Sequence, residues 1–303
     1  ASTLISNMGN RNLKWQTTLD RNIGLDFITL KNRLRFNLDY FVKTTDPLLV
    51  FVSLPTSTGM NQVAQNIGAQ VTRGFTATVD YTFIQRNEFN WKVNMNMRQL
   101  KSEYRDMGNR LSNFNEVNKS RNMVRYYDGG SPSDLWAVRS LGIDPATGRE
   151  IFLNNNNEQT FVHNYQDEVV VGNSEPDLEG IIGTTVYYKG FTASANFRYR
   201  YGGQAFMKTL FEKVENISAR NVALNQDKRA LYDRWQKPGD QAKFKAITQT
   251  AQTPMSSRFV EDNNVLTGES FSVGYETTKA AWLKYIFASS VTFRVYMNDI
   301  FYM

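Results

Sequence analysis

Residues Gly183 to Gly203, GTTVYYKGFTASANFRYRYGG, alternate so strictly that few folds accept them. A tight Lys189-Gly190 turn separates two strands. On the second strand Phe191, Ala193, Ala195, Phe197, Tyr199 and Tyr201 share one face. Thr192, Ser194, Asn196, Arg198 and Arg200 share the other. Successive side chains of a strand point to opposite sides of its sheet, so one surface is apolar and the other is polar. Two arginines on the polar stripe are more charge than an ordinary core accepts.

The same pattern recurs along the chain. Leu13, Trp15, Thr17, Leu19, Ile23, Leu25 and Phe27 hold one register, interrupted by Arg21, and lead to a Lys31-Asn32 turn. Leu34, Phe36, Leu38, Tyr40 and Val42 then oppose Arg33, Arg35, Asn37, Asp39 and Lys43, with Phe41 out of pattern. Asp46-Pro47 ends this strand, and a loop punctuated by Pro55 and Gly59 follows. Phe75 to Phe83 and Trp91 to Met97 alternate likewise around a short turn at Arg86 to Phe89. Two final strands carry Phe271, Val273 and Tyr275, then Val291, Phe293, Val295 and Met297. Long polar regions occupy about 104–178 and 204–264. The second includes a stretch, Phe206 to Trp235, whose Leu210, Val214, Ile217, Leu224 and Leu231 suggest helix.

From Lys31 onward the connections run short, long, short, long, short, long, compact. Transmembrane β-barrels alternate in this way, with short periplasmic turns and long extracellular loops. A strand of ~11 residues, Arg33 to Lys43, rises ~36 Å, and a tilt of ~45° reduces this to the ~25 Å of an outer-membrane apolar band. Trp91, Tyr104, Phe191, Tyr201, Tyr275 and Tyr302 fall near strand ends, where interfacial aromatics belong. The expectation is an all-β, transmembrane antiparallel β-barrel in which apolar faces meet lipid. The polar faces, with Arg33, Arg35, Asp39, Arg98, Asn196, Arg198 and Arg200, would line a wet lumen. A soluble β-rich surface or carbohydrate-binding protein, with the apolar faces as its core, is the alternative.

Composition removes other classes. There is no cysteine, and His163 is the single histidine, so thiol chemistry and histidine-rich metal sites are not expected. The 35 Lys plus Arg against 29 Asp plus Glu form no block of like charge, which gives no sign of a nucleic-acid partner. No apolar run reaches the ~20 residues of a membrane helix, a test that a barrel escapes. The start, ASTLISNMGN, has no basic region followed by an apolar stretch, which suggests a piece of a longer chain.

Several segments resemble the SusC/RagA-type TonB-linked outer-membrane transporters of Bacteroidetes. Asn10 to Thr18 is similar to that family's N-P-N-L-K-W-E-T motif, with Arg11 and Gln16 at the proline and glutamate positions. Asn66-Ile67-Gly68 with Arg73-Gly74, Tyr188-Lys189-Gly190-Phe191 and Tyr201-Gly202-Gly203 follow in the family's order. So do Arg234-Trp235 with Pro238-Gly239-Asp240, Ser257 to Asp262, and Val273-Gly274-Tyr275. The resemblance implies eight strands of a 22-stranded barrel. The plug, the TonB box and the final strand would lie outside this chain. It also implies import of oligosaccharides or peptides, with TonB, a SusD-like surface lipoprotein and the rest of the barrel as partners. A segment with two unpaired edges in lipid is not expected to form a complete transporter alone.

No covalent chemistry or cofactor is expected. Asp144 to Glu150 reads as a Pro- and Gly-containing turn rather than a Ca²⁺ loop, since the EF-hand spacing is absent. Glu175, Asp177 and Glu179 read as a solvated approach to a strand rather than a glycosidase pair. A hydrolase would need a nucleophile beside a base, and none is visible. Loop aromatics Tyr126, Tyr127, Trp136, Phe161 and Tyr165 either pack within their loop or stack on sugar.

Overall fold

The computed structural model describes residues 9–54, 56–60, 62–218, 220–221 and 223–303. The opening Ala1 to Met8 and the loop residue Pro55 lie outside the described residues, as do two positions in the stretch read as helical. The main sheet takes eight strands: β1 (Thr17–Thr29), β2 (Leu34–Asp46), β5 (Ala69–Arg86), β6 (Phe89–Arg105), β11 (Leu178–Tyr188), β12 (Phe191–Tyr201), β15 (Val265–Thr277) and β16 (Val291–Tyr302). They pair antiparallel in sequence order. Inserted at one end are β3 (Leu49–Ser53) with β4 (Gln62–Asn66), then β7 (Asp134–Ile143), β8 (Glu150–Leu153), β9 (Gln159–Thr160) and β10 (Glu168–Asn173), and lastly β13 (Gln204–Phe206) with β14 (Val260–Asp262). Every long connection leaves this end, as the parity of loop lengths requires.

The opposite end closes with turns. Lys189 and Gly190 both take positive φ, +47° and +90°, the left-handed pair whose twist matches a two-residue hairpin. Across the sheet the registers align whole rungs. Leu25, Leu38, Ala77 and Met97 lie side by side on the apolar face, as do Phe27, Phe36, Val79, Met95, Ile182 and Phe197. Among the described residues this face has no partner layer: Ile23 is 72% exposed, Phe293 65% and Val295 76%.

The buried clusters sit elsewhere. One joins Val50, Ile67, Tyr104, Met107 and Leu111 at the long-loop end; the other joins Val214, Ala230, Phe244 and Phe259 within the last long loop. In a soluble sandwich the main sheet would bury its apolar face against a second sheet. Here the loops own the cores and the sheet owns a bare apolar band, which only a membrane solvates at low cost. The soluble alternative has no packing to stand on.

Two local expectations change. Among its described residues the Phe206 to Trp235 stretch holds a short helical segment that ends in the π-helical turn Leu210–Glu215, and a short helix α2 (Arg229–Tyr232), after α1 (Ser112–Asn118). Of its spaced apolar residues, Leu210, Val214 and Ile217 feed the loop's own core, while Leu224 and Leu231 are exposed, so the five share no buried helix face. β1 begins at Thr17, so Leu13 and Trp15 precede the strand. Phe41, out of pattern in the sequence, lies on the polar face over its cross-strand neighbour Gly74.

Gly68 shows how the rim is built. It has φ +63°, and a Cβ there would meet the Met107 sulfur and stand 2.7 Å from the Arg105 carbonyl. Gly68→Ala is therefore expected to lose about 1–3 kcal/mol of local stability. Faster amide exchange at Ile67 and Met107, with the barrel strands unchanged, is the expected reading.

Candidate functional site

On the polar face, register brings together residues from six strands, β2, β5, β6, β11, β12 and β15. Asp39, Thr76, Arg98, Glu179 and Arg200 form one rung. Arg35, Asp80, Asn94, Gly183, Asn196 and Ser270 form another. Glu179 lies between two guanidiniums, 3.8 Å from Arg98 and 3.6 Å from Arg200. Arg198 pairs with Glu269 on β15, and Asn196 donates to the Ser270 hydroxyl at 2.9 Å. The side-chain amides of Asn94 and Asn196 close over Gly183, where a Cβ would meet the Asn196 oxygen at 2.5 Å. These ion pairs are half-exposed, so each holds geometry more than it stabilises, at about 0–1 kcal/mol.

A depression of about 380 Å³ opens beside them, lined by Asn96, Arg98, Glu179, Arg198, Arg200 and Thr267 among others. Three arginines face two carboxylates there, which leaves this depression with one excess positive charge. Of the seven residues expected on a lumen wall, Arg98, Arg198 and Arg200 meet at this depression. Arg35, Asp39 and Asn196 lie on the same face in the rungs named above. Arg33 sits in the turn just before β2, where its carbonyl accepts from the Thr82 amide of β5 at 2.8 Å, at the turn end of the wall. Glu269 is not among the expected residues, and Glu179, read in the sequence as part of a solvated approach to a strand, lies within β11. Counting back from the Lys189-Gly190 turn places Glu179 opposite Arg200, a signal present in the sequence. Glu269 occupies a bulge between Gly268 and Ser270, which alternation alone does not reveal.

Above the wall the two largest loops are locked together. Arg258 is the hub: its guanidinium reaches Glu150 at 2.9 Å and Glu215 at 2.7 Å, with all three side chains nearly buried. Ser256 donates to Glu150, and Thr253 donates to Glu215 at 2.8 Å. Glu150 belongs to the 106–177 loop; the others belong to 202–264. A second latch uses Asp144 to Glu150. The Asp144 carboxylate accepts from the Thr147 hydroxyl at 2.6 Å and the Ala146 amide at 3.2 Å, the hydrogen bonds of a turn. These lower its pKa, the Thr147 hydroxyl most of all. The turn presents the Pro145 carbonyl to the Trp235 indole and the Gly239 amide, both at 2.8 Å. Inside the first loop, Arg125 grips Glu168 through two parallel bonds at 2.8 and 2.7 Å.

The sequence motifs thus act as rim fasteners. The Asn66 side chain accepts from the Lys14 amide at 2.7 Å and donates to the Lys14 carbonyl at 3.0 Å, tying the entry segment to β4. The loop aromatics pack within their loop: Tyr126 against Tyr104 and Phe114, Tyr127 against Trp136, Phe161 under Arg149.

His163 lies edge-on to Phe152 and Tyr165, with Nε2 buried and without a hydrogen-bond partner. Burial lowers its pKa below 6.5, against a hydrogen bond from the ring to the Met255 backbone and nearby Glu150 and Asp167 that favour the cation. A histidine whose folded pKa is depressed binds its proton more readily when unfolded. This part of the loop therefore loses stability as pH falls below 6.5, until the folded pKa is also passed. Amide exchange around Phe152 and Tyr165 is expected to quicken between neutral pH and mild acid, and His163→Phe to remove that dependence.

With the geometry described, comparison with known proteins is informative. A family model for the TonB dependent receptor-like β-barrel matches residues 1–222. TonB-dependent receptor P39 of Formosa agariphila is 22% identical, over 97% of this chain and 32% of its own length. TonB-dependent receptor SusC of Bacteroides thetaiotaomicron is 30% identical over 39% of this chain and 13% of its own length. The solved RagAB peptide transporter superposes with a TM-score of 0.81 at 18% identity, over 99% of this chain and 33% of that one, a likeness of fold. The chain spans about a third or less of the length of the curated relatives it matches.

Proposed function

Because the chain belongs to the TonB dependent receptor-like β-barrel family, we propose that it is a wall sector, with its rim loops, of an outer-membrane transporter. That transporter imports oligosaccharides or peptides and takes its energy through TonB. Residues 106–177 and 202–264 lie outside the cell and meet a SusD-like surface lipoprotein. The polar face of the sheet lines the path of the solute and does no covalent chemistry on it.

The observation that carries this reading is the division of labour in the fold. The cores belong to the long loops at one end, while the eight strands expose an apolar band on one face and paired charges on the other. β1 and β16 each pair on one side alone, so the remaining barrel strands are the partners that satisfy their free edges.

Uptake of labelled oligosaccharide and peptide pools tests the reading in cells with and without the complete receptor. Deletion is expected to abolish uptake of one pool, complementation to restore it, and a protonophore to stop it. Uptake of both pools that survives deletion would contradict the assignment, as would uptake indifferent to the protonophore.

A further inference from the structure

The connection between β15 and β16 differs from the other three at its end of the sheet. Those are tight turns at 30–33, 87–88 and 189–190; this one, 278–290, winds a 3-10 turn over Ala281–Ile286. Leu283 is buried and fixes the turn. Its large neighbours stand out: Trp282 is 44% exposed, Ile286 54%, Tyr285 84% and Phe287 99%. Phe287 is held at φ +52°, a left-handed backbone that bulky side chains rarely adopt, and Ala288 closes back onto the Leu283 carbonyl at 3.1 Å. The backbone spends strain to keep this ring outside. Four large apolar side chains on one exposed turn make a poor water-facing surface.

The turn is continuous with the lipid-facing band. It leaves β15 two residues after Tyr275 and returns two residues before Phe293, which pair with each other across the hairpin. Tyr275 stacks near Phe191 at 4.5 Å, and Phe83 stacks on Trp91 at 4.6 Å along the same end of the sheet. Lys279 and Lys284 flank the exposed aromatics. Aromatic rings with a polar edge, aliphatic neighbours and lysines are the composition of an interfacial segment, with cations over lipid phosphates and rings at the headgroup boundary.

We propose that residues 279–287 form a lipid anchor in the periplasm-facing leaflet of the outer membrane. Trp282, Tyr285, Ile286 and Phe287 insert at the headgroup boundary, and Lys279 and Lys284 engage the phosphates. This rests on the outer-membrane wall reading above. The anchor fixes the depth and tilt of the β15–β16 hairpin, which the shorter turns of two to four residues elsewhere at this end have too little surface to do.

The test uses the complete receptor, otherwise free of cysteine, in phospholipid vesicles. A small fluorophore is attached at Tyr285→Cys or Phe287→Cys, with Val295→Cys on the strand and Glu88→Cys in a tight turn as references. Emission is challenged with phospholipid brominated near the headgroup and with aqueous iodide. Labels at 285 and 287 are expected to lose emission to brominated lipid as the 295 label does, and to resist iodide. Iodide quenching equal to that at 88 would place the turn in the periplasm and overturn the proposal. Protection from both reagents would place it against another part of the receptor, with the same result. A 295 label insensitive to lipid would overturn the wall reading itself, and the anchor with it.

Discussion

Arg258→Met in the complete receptor is expected to undock the two largest loops while leaving the barrel intact. Arg258 is the one cation in salt-bridge contact with both Glu150 and Glu215 among the described residues. Methionine roughly keeps the bulk over Phe259 and removes the charge, so two carboxylates are left buried with only hydroxyl and amide donors. Removing one partner of a buried ion pair costs about 3–5 kcal/mol, because desolvation of the survivor is no longer offset. The loss is local, since no bond of this network reaches the eight-stranded sheet. Exchange at Val138 to Ser140 and Ser256 to Phe259 is expected to rise by orders of magnitude, while the heat-resistant mobility of the barrel on gels stays unchanged. Arg258→Lys keeps the charge and loses the fork, so an intermediate effect is expected. Unchanged exchange in Arg258→Met would mean that the network does not hold the loops.

The strands were legible in the sequence because a β-wall between lipid and water has one period, two residues, and states it in every segment. Leu34 to Val42 and Phe191 to Tyr201 declare both faces without help from any other part of the chain. Loop parity followed from the same reading. The wall site was partly legible: Arg98, Arg198 and Arg200 stand on the polar face by alternation, yet their meeting depends on register across three strand pairings, two of them joined by long loops. Bulges at Thr82/Ile84 and Asn196/Phe197 shift that register by one residue, and alternation does not announce them. The loop network was not legible. Glu150, Glu215 and Arg258 are far apart in sequence and meet through irregular backbone that has no period. Among the described residues the helical reading of Phe206 to Trp235 holds in two short pieces only, because Leu210, Val214 and Ile217 pack into the loop's own core while Leu224 and Leu231 face outward.

The second large effect separates the two faces of the sheet. Ile182→Arg places a charge in the middle of the apolar band, between Met95 and Phe197. At the bilayer midplane such a charge costs about 2–4 kcal/mol. Ser194→Arg, on the neighbouring strand and the opposite face, meets Thr185 and Ser272 in a polar, open environment and is expected to cost little. Urea unfolding of the receptor in vesicles is expected to show a lower midpoint for Ile182→Arg alone. Equal effects from both substitutions would mean that the two faces see the same surroundings.

The most direct measurement is a nitroxide scan along β12 in the complete receptor embedded in a bilayer, one label at a time from Thr192 to Arg198. Collisions with lipid-dissolved oxygen and with an aqueous nickel chelate are compared at each position. A wall between lipid and a wet lumen predicts strict alternation. Oxygen dominates at Ala193, Ala195 and Phe197, and nickel dominates at Thr192, Ser194, Asn196 and Arg198. Odd positions shielded from both reagents would reveal a protein core against the apolar face and contradict the membrane wall.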